Sequence, residues 1–323
     1  MKSYNIISFH PRRQHNFEQA AQLSKYFDKY QHVTGLYFSN SLIDRLKYIF
    51  PKLSNLLSKR SYSDLSSKDV STLPKQEILR IWQQIRKKNI NYLKINDRFC
   101  SEVIKKYKPP KVCIGYDTSS YKVFKAWKGK TFLILDLSIG LPQYRVKIDK
   151  GKDFKMDDLL QKPMIYQKIF ERYDQEINLS DLVLCGSEFV KKTCVAFGYP
   201  EEKFKVLNYG VELQKFKFPN RKHTNNKKSI RFIFIGTVGW RKGANLLIST
   251  WKDFINEHPA CTLHFFGSID KQLQPDTVNG TITYHGRVDH TTLINAMKLA
   301  DVFVFPTTFE GSSIAVYQAI AMK

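Results

Sequence analysis

Short apolar runs recur along the chain, and segments with apolar residues at every third or fourth position lie between them. A run of four to seven residues is typical of a strand, whereas the longer spacing is typical of an amphipathic helix. The runs that predict strands are Tyr4–Ser8, Gln31–Leu36, 112–116, Thr131–Leu135, 182–185, Ile230–Ile235, Cys261–Gly267, Ile282–Gly286 and Val302–Phe305. Helices are predicted over Phe17–Tyr30 and Thr291–Leu299 among others. This alternation predicts an α/β protein with parallel sheets.

The length of the chain predicts two domains, because 323 residues exceed one typical hydrophobic core. A polar, basic segment without apolar periodicity, Pro219–Ser229, is typical of a linker. We therefore predict an N-terminal domain over residues 1–215, a basic linker over 216–229 and a C-terminal domain over 230–323.

The last stretch, Asp301–Lys323, predicts a strand, a loop and a helix. Pro306 cannot extend a ladder and ends the strand. Ser312 or Ser313 is predicted to cap the helix, since a serine oxygen accepts from the N–H groups of the first turn. One face of that helix carries Ala315, Ala319 and Met322. A strand, a glycine turn and a helix in this order commonly bind an anionic ligand at the carboxyl end of the strand. Glu310 lies in the loop.

A second glycine-containing loop, Gly236–Gly243, follows the strand Ile230–Ile235 and precedes a helix that begins near Ala244. It carries Arg241 and Lys242. Fixed cations beside the start of a helix are suited to an anionic ligand. The structural alternative is a helix-start turn whose charges are only solvated.

Three stretches of this chain resemble glycosyltransferase family 4, the retaining sugar transferases with the GT-B fold. Residues 310–321, from Glu310-Gly-Ser-Ser to Gln318-Ala-Ile-Ala, are similar to the family motif Glu, seven residues, Glu, with Gln318 in place of the second Glu. Arg241-Lys242-Gly243 resembles the donor-phosphate loop, where Thr237 replaces the Arg that often follows the first Gly. Residues 180–216 resemble the end of the family's N-terminal domain in order and spacing.

The resemblance implies a GT-B protein of two Rossmann-like, doubly wound domains that face each other across a cleft. It implies a nucleotide-diphosphate sugar as co-substrate, no metal or other cofactor, and transfer with retained anomeric configuration. Arg241 and Lys242 would bind the diphosphate, Glu310 would orient the donor sugar, and Gln318 would bind the ribose. The other implied donor-side positions are Gly236, Thr237, Arg287, Val288, Gly311, Ser312 and Ser313.

The loop after the first strand is dense with hydrogen-bond donors. It lacks the Gly-Gly pair that many family members place there, so arginines would supply any anion contacts. The resemblance implies that His10, Arg12, Arg13 and His15 face the acceptor side. Asp117 and Asp136 are further candidates because each follows a predicted strand, although an Asp at a strand end is more often a helix cap or a turn residue. A solvated loop is the structural alternative.

Charge adds a candidate partner. The net charge is +23, and residues 51–150 hold 22 Lys and Arg against 8 Asp and Glu, or +14. Basic, leucine-spaced helices over Asn40–Lys94 favour docking on an anionic membrane face, although packing on the domain is the commoner role.

Nucleic acid is disfavoured as a partner because no nucleic-acid-binding module is recognisable in the sequence. Five cysteines without a CxxC pair and the lack of an apolar run of about 18 residues indicate a cytoplasmic protein, able to lie peripherally on the inner membrane face.

Several hypotheses therefore stay open. The main one is a retaining glycosyltransferase that acts on a glycan or lipid-linked acceptor in polysaccharide, lipopolysaccharide or glycolipid synthesis. The others are a catalytically weak or inactive sugar-nucleotide-binding protein and a sugar-nucleotide epimerase of the same fold. The family continues for several dozen residues beyond the helix in which this sequence stops, so the C-terminal domain is predicted to be truncated.

Overall fold

The computed structural model describes residues 3–149, 163–216, 229–271, 273 and 275–322. The chain divides into two compact units. Unit 1 comprises Met1–Ser138, Met164–Cys185 and Gly198–Val206, and unit 2 comprises Ile139–Pro163, Gly186–Phe197 and Leu207–Lys323. Most of the predicted linker, residues 217–228, lies outside the described residues. The predicted domain boundaries stay a prediction.

Strands and helices alternate through both units. The strands are β1 (Ile6–His10), β2 (Tyr30–Thr34), β3 (Val70–Thr72), β4 (Val112–Tyr116), β5 (Phe132–Leu137), β6 (Leu182–Cys185), β7 (Phe204–Val206), β8 (Arg231–Ile235), β9 (Thr262–Phe266), β10 (Ile282–Tyr284) and β11 (Val302–Phe303). The helices are α1 (Asn16–Tyr26), α2 (Asn40–Ile49), α3 (Pro51–Ser58), α4 (Pro74–Ile85), α5 (Tyr92–Lys106), α6 (Tyr121–Trp127), α7 (Pro142–Asp149), α8 (Pro163–Leu179), α9 (Glu188–Val195), α10 (Ala244–Glu257), α11 (His290–Leu299) and α12 (Ile314–Ile320).

Unit 1 is built on a parallel sheet in the order β3-β2-β1-β4-β5-β6-β7. In register, Ile6 of β1 lies opposite Tyr30 of β2 on one side and Val112 of β4 on the other. The central strands are buried, as expected of a parallel sheet covered on both faces. This order reverses between β1 and β4, and ligands of open α/β sheets bind outside the strand ends at such a point.

Unit 2 contains a smaller parallel sheet in the order β10-β9-β8-β11, which reverses between β8 and β11. Because side chains alternate along β8, Phe234 packs with α10 and Ile233 packs on the opposite face. That opposite face is covered by residues of α11, by Ala315 and Ala319 of α12, and by Met322 just after α12. The predicted apolar face of the last helix is therefore confirmed.

Most predicted elements exist, but several boundaries were wrong. The first helix ends at Tyr26 rather than Tyr30, because Lys29 turns the chain with a positive φ of 55° and Tyr30 already pairs with β1. The first strand begins two residues late, at Ile6, and runs to His10. Strand β11 pairs with β8 over Val302 and Phe303 only, so the predicted strand to Phe305 is too long.

The serines before α9 and α12 differ in capping. Ser187 precedes α9, and its hydroxyl accepts from the N–H of Val190 at 3.4 Å. Ser313 is the residue before α12, but its side chain makes no capping hydrogen bond. The hydroxyl of Ser312 instead pairs with the hydroxyl of Tyr317 at 3.0 Å. The predicted serine cap of the last helix was therefore wrong.

Helices α2 and α3 form a pair whose apolar residues do not pack inward as the spacing suggests. Ile43 is buried, and the hydroxyl of Ser54 donates to its carbonyl at 3.0 Å. Ile49, Phe50 and Leu53, by contrast, are exposed.

Within the described part of the chain, no helix combines the length and apolar character needed to cross a bilayer.

Candidate functional site

The reversal point of the second sheet brings two loops together at the carboxyl ends of β8 and β11. The first loop begins at Gly236, whose N–H donates to Phe266 at 2.9 Å, and continues through a 3₁₀ turn at Trp240–Lys242. The second loop runs from the end of β11 to Ser313, just before α12. Both predicted strand–loop–helix units are therefore present.

Gly243 sets the close approach of these loops. Its φ is 72°, in the left-handed region that favours glycine, and a Cβ there would lie 2.0 Å from the carbonyl oxygen of Pro306. The backbone of the two loops is also bonded directly, because the N–H of Thr308 donates to the carbonyl of Arg241 at 3.1 Å. The hydroxyl of Thr307 donates to the same carbonyl at 3.1 Å. Glycine at this position lets the two loops form one surface.

Arg241, Lys242 and Glu310 form one charged cluster on that surface. The Nη1 atom of Arg241 donates to the carbonyl of Phe309 at 2.9 Å and to Oε2 of Glu310 at 3.2 Å. The Nζ atom of Lys242 also contacts Oε2 of Glu310. The other carboxylate oxygen, Oε1, accepts from the N–H of Gly311 at 3.1 Å. Two cations against one carboxylate leave the cluster with a net charge of +1 when all three groups are ionised.

Lys242 is largely buried and lies beside an aromatic ring. Its side chain is only 12% exposed, and Nζ lies 4.6 Å from the centre of the Phe305 ring. Burial, and then the charge of Arg241, lower the pKa of Lys242 to about 7. A diphosphate placed beside this amine would favour its charged form and raise that pKa again.

The remaining donor-side candidates lie around the same strand ends. Thr237 is exposed in the first loop. Arg287, just after β10, is exposed and reaches Oγ of Ser268 at 3.5 Å, at the end of β9. Val288 packs on the face that α11 covers. Gln318 lies part-buried on α12, eight residues beyond Glu310.

The segment around Gly311 packs against the start of α9 in the same unit. The hydroxyl of Ser187 donates to the carbonyl of Gly311 at 2.5 Å. A Cβ on Gly186 would lie 3.0 Å from Cβ of Ser312, so the two segments are in close contact. The position of the Glu310 loop is therefore fixed from two sides, by Arg241 and by α9.

In unit 1, the acceptor-side candidates are bonded mainly to the protein itself. His10 ends β1 and is buried, and burial and then the charge of Arg12 lower its pKa to about 3, so it is neutral. Arg12 donates to Oδ1 of Asn96 at 3.2 Å. Arg13 donates to the carbonyl of Ser61 at 2.7 Å and pairs with Glu18 at 3.2 Å.

His15 and Asp136 form a pair that joins the start of α1 to β5. The Nε2 atom of His15 lies 3.0 Å from Oδ1 of Asp136. Burial lowers the pKa of His15, but the hydrogen bond and charge of Asp136 outweigh it and raise the pKa overall. Asp117 is buried, accepts from Ser138 at 2.9 Å and from Tyr173 at 2.8 Å, and has a pKa that burial raises. The hydrogen bonds from Ser138 and Tyr173 hold the Asp117 carboxyl group in place without a ligand.

Glu176 of α8 is a buried carboxylate that the sequence did not reveal. Its oxygens accept from the N–H groups of Thr118 at 2.6 Å, Ser120 at 2.7 Å and Tyr121 at 3.0 Å, at the start of α6. Burial raises its pKa to about 8, although two of these bonds and the charge of Arg172 oppose that shift. The helix start at the end of β4 is therefore already occupied by an acidic side chain of the protein.

Known proteins share this architecture. Residues 229–323 match a family model described as Glycosyl transferases group 1, and no curated protein sequence matches the chain. HepE of Anabaena in complex with UDP is 12% identical, with 98% of this chain and 78% of that chain covered and a TM-score of 0.58. Sucrose-phosphate synthase from Thermosynechococcus elongatus is 13% identical, with 99% and 79% covered and a TM-score of 0.64.

A trehalose-6-phosphate synthase studied for glycosyl transfer with retention is 10% identical, with 98% of this chain and 81% of that chain covered and a TM-score of 0.60. The chain has the GT-B fold. At these identities the likenesses establish the fold alone. The family match covers the part of the chain that holds Arg241, Lys242 and Glu310, and the two findings together support a GT-B glycosyltransferase.

Proposed function

We propose that this chain transfers a sugar from a nucleotide-diphosphate donor to an acceptor, as a retaining, metal-independent enzyme of glycosyltransferase family 4. The observation that carries the proposal is the cluster of Arg241, Lys242 and Glu310 at the reversal point of the second sheet. A cationic loop between a strand end and a helix start is suited to a diphosphate. The match of residues 229–323 to a glycosyltransferase family model supports the same conclusion.

The two cations have the central role in this proposal. When the bond between the sugar C1 and the diphosphate oxygen breaks, negative charge grows on the diphosphate. Arg241 and Lys242 stabilise that charge electrostatically, without a proton transfer. The net positive charge of the cluster favours the binding of one more anion, and a part-buried position strengthens the attraction relative to water.

Glu310 is proposed to orient the donor sugar. Its carboxylate is held by Arg241 and by the N–H of Gly311, so it is fixed beside the diphosphate site. Binding of the diphosphate would compete with Glu310 for Lys242, because one ammonium would then face two anions. We expect the carboxylate to keep its bond to Gly311 and to turn its other oxygen towards the sugar hydroxyls.

Retention requires that the acceptor oxygen bonds to C1 on the face from which the diphosphate leaves. The acceptor proton passes to an oxygen of the leaving phosphate, so no carboxylate base is needed. Gln318 would bond the ribose, and Arg287 and Val288 would contact the base. The Gly236, Thr237, Gly311, Ser312 and Ser313 positions would line the phosphate and sugar part of the site.

The acceptor is proposed to be a glycan or a lipid-linked sugar, in polysaccharide, lipopolysaccharide or glycolipid synthesis on the cytoplasmic side of a membrane. His10, Arg12, Arg13, His15 and Asp117 remain the acceptor-side candidates. Of these, His15 is the best placed, because it precedes α1 in the loop that follows β1 at the reversal point of the first sheet, and Asp136 of β5 holds its ring.

The test is release of nucleoside diphosphate from a panel of nucleotide sugars, with and without acceptor lipid or glycan extracts. We expect acceptor-dependent release by the wild type and about a hundredfold loss of turnover in Glu310→Gln, with nucleoside diphosphate binding retained. Glu257→Gln, an exposed carboxylate at the end of α10, is the matched control. The anomeric configuration of the product, read by NMR, tests retention separately.

Two results would favour the alternatives. Conversion of the nucleotide sugar to its epimer without acceptor would indicate a sugar-nucleotide epimerase. Tight binding of nucleoside diphosphate with no turnover of any donor, in wild type and Glu310→Gln alike, would indicate a binding protein.

A further inference from the structure

Helix α4 of unit 1 exposes an apolar stripe that the sugar-transfer proposal does not use. Ile78, Trp82 and Ile85 are spaced by four and three residues, so they lie on one side of the helix. All three are exposed, and Ile85 is 75% exposed. The opposite side of α4 is buried through Gln76, Glu77 and Arg80. The helix is therefore anchored by polar groups and presents its apolar residues to the surroundings.

The turn between α2 and α3 has the same character. Tyr48 is 90% exposed, and its neighbours Ile49 and Phe50 are exposed as well. Leu53 and Leu56 continue this exposed apolar surface along α3. We call these residues and the stripe of α4 the apolar face of unit 1.

Ion pairs join the segments that carry the two parts of this apolar face. Arg60, just after α3, pairs with Oε1 of Glu77 in α4 at 2.7 Å, and Arg80 pairs with the same carboxylate at 2.8 Å. Glu77 is buried, so this three-residue network is shielded from water. It holds the end of α3 to the first turn of α4.

Cations surround the apolar face. Residues 40–60 hold five Lys and Arg against one acidic residue, Asp44. On α4, the guanidinium of Arg86 lies 4.1 Å from the centre of the Trp82 ring, and Nζ of Lys88 lies 5.3 Å from it. Between α4 and α5, three cations and one acidic residue border a groove of about 410 Å³: Lys75, Arg98, Lys105 and Glu102.

We propose that the apolar face of unit 1 docks on an anionic lipid bilayer. Tryptophan and aliphatic side chains flanked by Lys and Arg are the composition of segments that lie in a membrane interface, with apolar residues among the acyl chains and cations at the phosphates. The groove beside Lys75 is placed to receive a phosphate of a lipid headgroup.

Charge argues against two other occupants. A second copy that used the same surface would place these cations against one another, since a two-fold interface pairs a surface with itself. Nucleic acid would meet the cations favourably, but single-stranded bases stack on aromatic rings and gain little from Ile49, Leu56, Ile78 or Ile85. An anionic bilayer satisfies both the aliphatic and the cationic parts.

The test is flotation of the full chain with vesicles of phosphatidylcholine alone or mixed with phosphatidylglycerol, without donor or acceptor. We expect binding only to the mixed vesicles, weakened by salt, and at least about tenfold weaker for Ile78→Ser/Trp82→Ser/Ile85→Ser. The matched control is Tyr26→Ser/Phe132→Ser, which removes exposed aromatic residues elsewhere in unit 1. Circular dichroism verifies that each variant is folded.

A second measurement reports on the position of the tryptophan. Trp127 and Trp251 are buried and Trp240 is part-buried in unit 2, whereas Trp82 is exposed in the apolar face, so brominated acyl chains are expected to quench Trp82 in the bound protein. Trp82→Phe should keep vesicle binding within about threefold and lose that quenching.

The proposal is overturned if binding is equal for both vesicle types, if the triple Ser variant binds like the control, or if Trp82 is not quenched. Displacement of vesicles by a DNA or RNA oligonucleotide, or self-association lost in the triple variant, would also overturn it. Because no donor is present, these results are independent of the proposed sugar transfer.

Discussion

The two sheets reverse their strand order in the same way but surround the reversal points with different side chains. In unit 1, Glu176 accepts from three N–H groups at the start of α6, so a buried acidic side chain of the protein occupies that helix start. In unit 2, Arg241 and Lys242 lie next to the start of α10 and outnumber the single carboxylate of Glu310. A shared topology thus offers two places for an anion, and the side chains favour only the second.

This comparison has a physical consequence for the donor. A diphosphate at the end of β4 would find the N–H groups of that helix start bonded to Glu176 and would have to displace this side chain from a buried position. A diphosphate at the end of β8 would meet a cluster with net positive charge. The difference predicts that variants in unit 2 change donor binding and that variants of Glu176 change stability instead.

Removal of the Lys242 amine should have the largest effect. We expect Lys242→Ala to lower the turnover of the donor by about a hundredfold to a thousandfold, because one preorganised charge at the leaving group is lost. Lys242→Arg should retain part of the activity. The control is Lys252→Ala, which removes an exposed lysine of α10, the helix that follows Lys242. It should leave steady-state kinetics unchanged. Equal turnover in Lys242→Ala and Lys252→Ala would show that Lys242 does not stabilise the leaving group.

Gly243→Ala should disrupt the same loop through the backbone. Its Cβ would collide with the carbonyl of Pro306, and its φ of 72° disfavours alanine. We expect about a tenfold or greater loss of nucleoside diphosphate affinity in calorimetric titration. Gly280→Ala is the control, because Gly280 has a φ of 81° and nothing within 4 Å of the added Cβ. Similar losses in both variants would show that backbone strain, rather than the approach of the two loops, is responsible.

The pKa of Lys242 predicts a proton linkage. With a pKa of about 7, the amine is mostly neutral at pH 8, and an adjacent diphosphate should favour its charged form. Binding should therefore take up a proton, and affinity should fall by at most about tenfold for each unit that the pH rises above 7. Titrations in buffers of different ionisation enthalpy measure this uptake. Lys242→Arg should bind without it, and an unchanged uptake in that variant would assign the proton to another group.

Glu176→Gln should affect folding rather than the donor. An amide opposite backbone N–H donors leaves one of them unpaired, so we expect a loss of about 1–3 kcal/mol in the free energy of unfolding. Nucleoside diphosphate affinity should stay within about twofold, a small effect that the comparison of the two units requires. A large loss of affinity would place the donor in unit 1.

The pH dependence of that stability difference has a defined sign. The folded pKa of Glu176, about 8, exceeds that of an unfolded glutamate, about 4.3, so the folded state binds one more proton between these values. Wild-type stability should therefore fall relative to Glu176→Gln as the pH rises from 5 to 8. Urea unfolding of both proteins at several pH values measures how the difference between their free energies of unfolding changes with pH.

Local sequence predicted the elements better than their ends. The runs Val112–Tyr116 and Leu182–Cys185 have sharp polar borders and form strands at the predicted bounds. The first helix was extended too far, since the spacing of its apolar residues continues to Tyr30, which pairs with β1 instead. Exposure could not be predicted for α2–α4, because spacing alone does not distinguish a buried stripe from an exposed one.

The candidate site shows the same limit. Local motifs identified Arg241, Lys242 and Glu310, but their contact spans 68 residues of sequence and depends on how β8 and β11 pair. Glu176 was missed because its N–H partners lie 55 to 58 residues away. No local signal distinguishes such a carboxylate from a surface glutamate on a helix.

A crystal structure of the chain with uridine diphosphate tests the central claim most directly. The account predicts phosphate oxygens within about 3 Å of both Arg241 and Lys242, with the Glu310 carboxylate moved away from Lys242. Uridine diphosphate bound at the strand ends of unit 1 beside His15 and Asp136, with the Lys242–Glu310 pair unchanged, would contradict it.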